Sequence, residues 1–104
     1  MTNTELRQLL LDIAMNCTRM GNWIADDYAG KKGRVLLFLD QTSAYMDRVS
    51  PDALPPGAQT VFRKFVSEYP ALYDEARQQP KDCARFAERL MTWGSVLTHR
   101  SSLL

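Results

Sequence analysis

LRQLLLDIAMNCTRMGNWIADDYA, Leu6 to Ala29, is the stretch whose reading decides the fold. Leu6, Leu10, Ile13, Cys17, Met20, Ile24 and Tyr28 step through it by threes and fours. That spacing lines them along one side of a helix, because an α-helix returns to the same face every 3.6 residues. Upstream, Thr2 and Glu5 have the spacing of a capping box. Thr4 is a competing cap, and the helix these residues start is predicted to run to about Ala29. Gly21 interrupts it at a cost of about 1 kcal/mol relative to alanine, either to admit a neighbouring helix or to mark a bend.

Downstream, Gly30-Lys31-Lys32-Gly33 reads as the end of that helix. Gly30 suits the left-handed position past a helix end, and the lysines suit the negative end of the helix dipole. A second helix is expected from about Arg34 to Val49. Its opening, Val35-Leu36-Leu37-Phe38-Leu39, imitates a buried strand. The helical period continues through Tyr45, Met46 and Val49, however, and a lone strand has no visible partner. Ser50-Pro51-Asp52 suggests one short turn, and Leu54-Pro55-Pro56-Gly57 an irregular link. A third helix is expected from about Ala58, with Val61, Phe62, Phe65, Val66 and Tyr69 facing inward. Pro70 removes a backbone hydrogen bond and crowds the preceding turn, so a kink or break is expected near Tyr69. The last helix is expected to start at Pro80 and to bury Cys83, Phe86, Ala87, Leu90, Trp93 and Leu97.

The expectation is therefore an all-α fold: a four-helix bundle, mostly antiparallel, with the third helix kinked or broken near Pro70. The 104 residues are enough for one domain and too few for two, so residues 1–104 are read as a single helical domain. No apolar run approaches the roughly 20 residues of a membrane span, and the polar N-terminus lacks a basic segment before an apolar core. A cytoplasmic location, no membrane partner and two reduced cysteines, Cys17 and Cys83, follow as expectations.

Thirteen basic residues against twelve acidic leave a formal charge of +1. That balance makes nucleic acid an unlikely partner, since dedicated binders carry a marked basic excess. Metal sites are not expected. His99 is the only histidine, with no Glu-x-x-His pair and no clustered cysteines. Asp40 and Asp47 lie two helical turns apart, about 10 Å, too far for one ion to bridge. No nucleophile-elbow signature accompanies His99, so neither catalytic residues nor a cofactor are expected.

Three surfaces remain. Trp23, Tyr28, Leu103 and Leu104 are candidates for contact with a protein partner, because aromatic and apolar side chains at a surface anchor interfaces. Lys31, Lys32 and Arg34 form the only compact basic motif and are candidates for holding a phosphate or a nucleic-acid backbone, although the spacing of a phosphate-binding loop is missing. Tyr45, Tyr69, Tyr73 and an arginine are candidates for lining a small-ligand pocket. The reading favoured is a small non-enzymatic protein of regulatory or scaffolding type, acting through a protein partner or as a homodimer. The alternatives are a nucleic-acid-associated regulator and a small-ligand-binding bundle.

Overall fold

Three helices account for nearly all of the chain in the computed structural model, which describes all residues from Met1 to Leu104. They are α1 (Asn3–Asp47), α2 (Pro56–Arg77) and α3 (Cys83–Ser101), with one 3₁₀ turn at Pro51–Ala53. No strand forms, and Val35 to Leu39 are helical.

The expected four helices are thus corrected to three. Gly30 and Gly33 do not end the first helix, and neither glycine has positive φ. The only non-helical residue inside α1 is Asp27, at φ −158°, ψ 83°. Its carboxylate accepts the N–H of Gly30 at 3.1 Å, the pattern of a helix N-cap, so the chain restarts helically after one residue. That close approach explains the glycine: a Cβ at position 30 would lie 2.1 Å from the Asp27 carboxylate. Local composition suggested a glycine turn, whereas the aspartate side chain supplies the bend.

α1 folds back on itself at Asp27. A straight helix of 45 residues would be about 67 Å long. The whole molecule measures 39 × 21 × 19 Å. Contacts between the two arms confirm the reversal. Asn16 donates to Gln41 (3.0 Å) and to Thr42 (3.2 Å), and the rings of Trp23 and Phe38 meet edge to face at 4.9 Å. Residue numbers rise on one arm as they fall on the other, so the arms run antiparallel.

α3 packs most extensively against α1, and small residues permit it. Ala14 and Gly21 are seven residues apart on α1, as are Ala87 and Gly94 on α3, so each pair shares a face after two turns. A Cβ on Gly21 would come within 3.0 Å of the Ala87 carbonyl oxygen, and one on Gly94 within 2.9 Å of the Ala14 carbonyl oxygen. Gly21 therefore serves close approach and not a bend.

α2 stands further off, on aromatic side chains. Phe65 contacts Trp93 of α3 at 5.2 Å between centroids. Tyr69 donates to the Leu39 carbonyl (2.6 Å), Tyr28 to the Ala76 carbonyl (2.7 Å) and Tyr73 to the Asp40 carboxylate (2.6 Å). These contacts fix the face of α2 on both sides of Pro70. The expected break near Pro70 is corrected accordingly: α2 continues through Pro70, which is exposed. The inward row Phe62, Phe65, Tyr69, Leu72, Ala76 keeps its phase across the proline, and packing outweighs the local cost of about 3 kcal/mol.

Two ends are capped by side chains. Thr2 accepts from the Glu5 N–H (3.1 Å) and Glu5 reaches back to the Thr2 N–H (3.3 Å), completing the capping box. Asp82 accepts from the Arg85 N–H at 3.0 Å, so α3 starts at Cys83 and not at Pro80.

Candidate functional site

The groove between α2 and α3 is lined by a half-buried tryptophan, aliphatic side chains and charges of both signs. Antiparallel packing of these helices leaves a furrow above Phe65, filled at its centre by Trp93. The indole is half-buried, stacked edge-on against Phe65, and its Nε1–H donates to Glu68 at 3.1 Å. Toward the C-terminal end of α3 lies a depression of about 270 Å³, lined by Val61, Lys64, Thr92, Trp93 and Val96. Toward its N-terminal end the same furrow continues past Glu68, Arg85, Glu88 and Arg89. Its floor is apolar and its rim carries both charge signs. Arg89 is tied to Glu75 at 3.2 Å, whereas Lys64 and Arg85 form no ion pair.

Sequence reasoning placed Trp93 in the core stripe. A helical stripe gives a side chain's direction, but not whether the neighbouring helix is wide enough to cover an indole. Gly94, next to Trp93, lets α3 approach the Ala14 carbonyl of α1, but residue order carries no signal of how far α2 covers the indole.

The expected interface residues lie apart from one another. Trp23 is half-buried in the seam between the arms of α1, against Phe38 on one side and with the Arg34 guanidinium 5.9 Å from its ring. Tyr28 is only 6% exposed and its hydroxyl is engaged by Ala76. Leu104 folds back onto the core, while Leu103 remains 52% exposed with one methyl against Gly57.

The basic motif sits on the second arm of α1, just past the bend. Lys31 is ion-paired with Asp26 across the bend. That hydrogen bond and charge hold the exposed Asp26 carboxyl below its usual range. Lys32 and Arg34 are exposed and form no ion pair, Arg34 lies over the Trp23 ring, and the Gly30 amide is taken by Asp27. Of the three cations, Lys31 alone is paired with a carboxylate.

The tyrosine candidates for a ligand pocket fill space instead of lining it. Tyr69 and Tyr73 meet at 6.1 Å with Arg77 over Tyr73 at 5.4 Å, and both hydroxyls are engaged. Tyr45 lies half-buried against the core. Burial pushes the Tyr69 and Tyr28 phenols up, and the hydrogen bond to Asp40 does the same for Tyr73.

Cys17 is fully buried, and burial pushes its thiol up to about 12, so it stays protonated and unreactive at neutral pH. Neither cysteine is in a disulfide. His99 is exposed near the end of α3, at the edge of a shallow open depression of about 710 Å³ shared with Thr18, Ser95 and Arg100. No three His, Cys, Asp or Glu side chains converge as a metal-binding group. No helix is long and apolar enough to cross a membrane.

Comparison of the chain with models of known protein families, with curated proteins and with solved structures gives no match.

Proposed function

We propose that this protein is a non-enzymatic interaction module of regulatory or scaffolding type, and that it holds a partner protein in the α2–α3 groove around Trp93. The observation that carries the reading is the half-buried indole itself. It is flanked by Val61 and Val96 and bordered by Lys64, Arg85 and Glu88. A tryptophan held rigidly by Phe65 and Glu68 offers a large contact area with little entropy left to lose, which is what an interface anchor needs. The apolar floor suits one or two aliphatic side chains of a partner helix, and the two-signed rim suits its flanking charges. A cytoplasmic setting belongs to the same proposal, since reduced cysteines are at home there.

The test is affinity capture from the native host, followed by titration of the captured protein against purified variants. Thr92→Arg and Val96→Glu place charge in the groove at an exposed and a half-buried position. The expected result is at least tenfold weaker binding with unchanged helicity and melting. Binding that survives both variants, but is lost when Lys31, Lys32 and Arg34 are reversed to glutamate, overturns the groove and moves the interaction to the basic corner.

A further inference from the structure

We infer that the first arm of α1, residues 3–26, can be exchanged between two copies of this chain by straightening at Asp27, giving a dimer built from the contacts that close the monomer. The inference is independent of the α2–α3 groove. It starts from the shortness of the reversal. Helix–helix connections usually take two or more residues, whereas here a single residue leaves helical geometry between two long arms. Only Asp27 has to move to helical φ and ψ for α1 to become one continuous rod. Neither proline nor left-handed glycine stands in the way.

The local sequence supports the open form as well as the closed one. In the closed form the Asp27 carboxylate caps the second arm through Gly30. In a continuous helix Asp27 stands four residues before Lys31, the favourable order for an acid–base pair, and the amides freed from the cap return to the backbone ladder. Asp26, Asp27, Ala29 and Gly30 are all exposed, so no core side chain crosses the hinge when it opens. Tyr28 keeps its place on the second arm, where Ala76 holds its hydroxyl.

The tertiary partners of the first arm lie beyond the hinge. Asn16 bonds to Gln41 and Thr42, Trp23 meets Phe38, and Gly21 abuts Ala87 and Met91. A second copy of the chain offers the same surfaces in the same geometry. The exchanged dimer therefore needs no new patch, and its contact energy nearly equals that of two monomers. Protein concentration and the hinge alone decide between them. The open α1, about 67 Å long, spans two bodies each about 39 Å in length.

The experiment measures solution mass by light scattering after refolding at high and at low protein concentration, with three hinge variants. Asp27→Ala removes the cap. Gly30→Ala places a Cβ where the Asp27 carboxylate now sits, which dislodges the cap and favours continuous helix. Insertion of Gly-Ser-Gly after Asp27 relaxes the closed hairpin. The expected result is a concentration-dependent dimer that strengthens by roughly thirtyfold in Asp27→Ala, because two hinges each lose a cap. Gly30→Ala moves in the same direction, and the insertion yields monomer. Once formed, the dimer exchanges subunits only as slowly as the protein unfolds. A dimer indifferent to all three variants is a surface dimer and overturns the inference. So does a monomer at every concentration in both Asp27→Ala and Gly30→Ala. Helicity measured by circular dichroism confirms that each variant is folded, and Gly30→Ala stands in if Asp27→Ala is not.

Discussion

Asn16 and Thr42 are 26 positions apart in the chain, yet the amide of one donates to the hydroxyl of the other at 3.2 Å inside the protein. Both side chains are buried. This contact joins the two arms of α1 and, with the Asn16 bond to Gln41, places a small polar cluster in the seam. A buried pair of this kind contributes little net energy while intact but is costly to break, since the remaining partner has lost its water.

Asn16→Ala is accordingly expected to destabilise the protein by about 3 kcal/mol, combining an unpaired Thr42 hydroxyl with a cavity. Replacing both partners, Asn16→Leu with Thr42→Val, should recover most of that loss. Urea unfolding of the single and double variants measures it. A double variant as unstable as the sum of its parts would contradict the argument.

Two glycines inside helices should respond to alanine with opposite signs. Gly33→Ala meets nothing within 4 Å and should stabilise by about 1 kcal/mol, the helix-propensity difference. Gly94→Ala would put a Cβ 2.9 Å from the Ala14 carbonyl oxygen, which is backbone and cannot step aside. A loss of about 2 kcal/mol is expected, because α3 must move off α1. Thermal melts of the two variants decide it.

The protein should lose stability at alkaline pH. Burial raises the Cys17 thiol from 9.0 to about 12, so the folded state resists deprotonation that the unfolded chain accepts. The contribution is complete below pH 9 and drains away as pH rises toward 12. Tyr28, Tyr69 and Tyr73 are raised above 10.0 as well and add to the loss from there upward. Urea midpoints measured between pH 8 and 11 should fall in the native protein and fall less in Cys17→Ala. Equal slopes would remove Cys17 as a cause.

Pro70→Ala should raise stability by about 2 kcal/mol. The proline is exposed within α2, and its ring occupies the place of a helical N–H. The aromatic contacts of Phe65, Tyr69 and Tyr73 that hold α2 in phase are untouched by the change. A lower melting temperature would mean that α2 depends on the proline for its curvature.

Much of the fold was legible in residue order because helices are local. The stripe from Leu6 to Ile24, the Thr2–Glu5 box and the turn at Pro51 each depend on residues within a few positions of one another, and each formed. Small residues seven apart, Ala14 with Gly21 and Ala87 with Gly94, are also legible in residue order as a close-packing signal.

The chain by itself determined that this protein is helical and which side of each helix turns inward, since hydrophobic period and caps act over one or two turns. Tertiary structure alone decided that the two arms of α1 pack on each other, that α2 continues unbroken through Pro70, and that Trp93 stays half-uncovered. Each of these is a contest between a local preference of a few kcal/mol and contacts from residues tens of positions away. Such contacts exist only once the helices have been brought together.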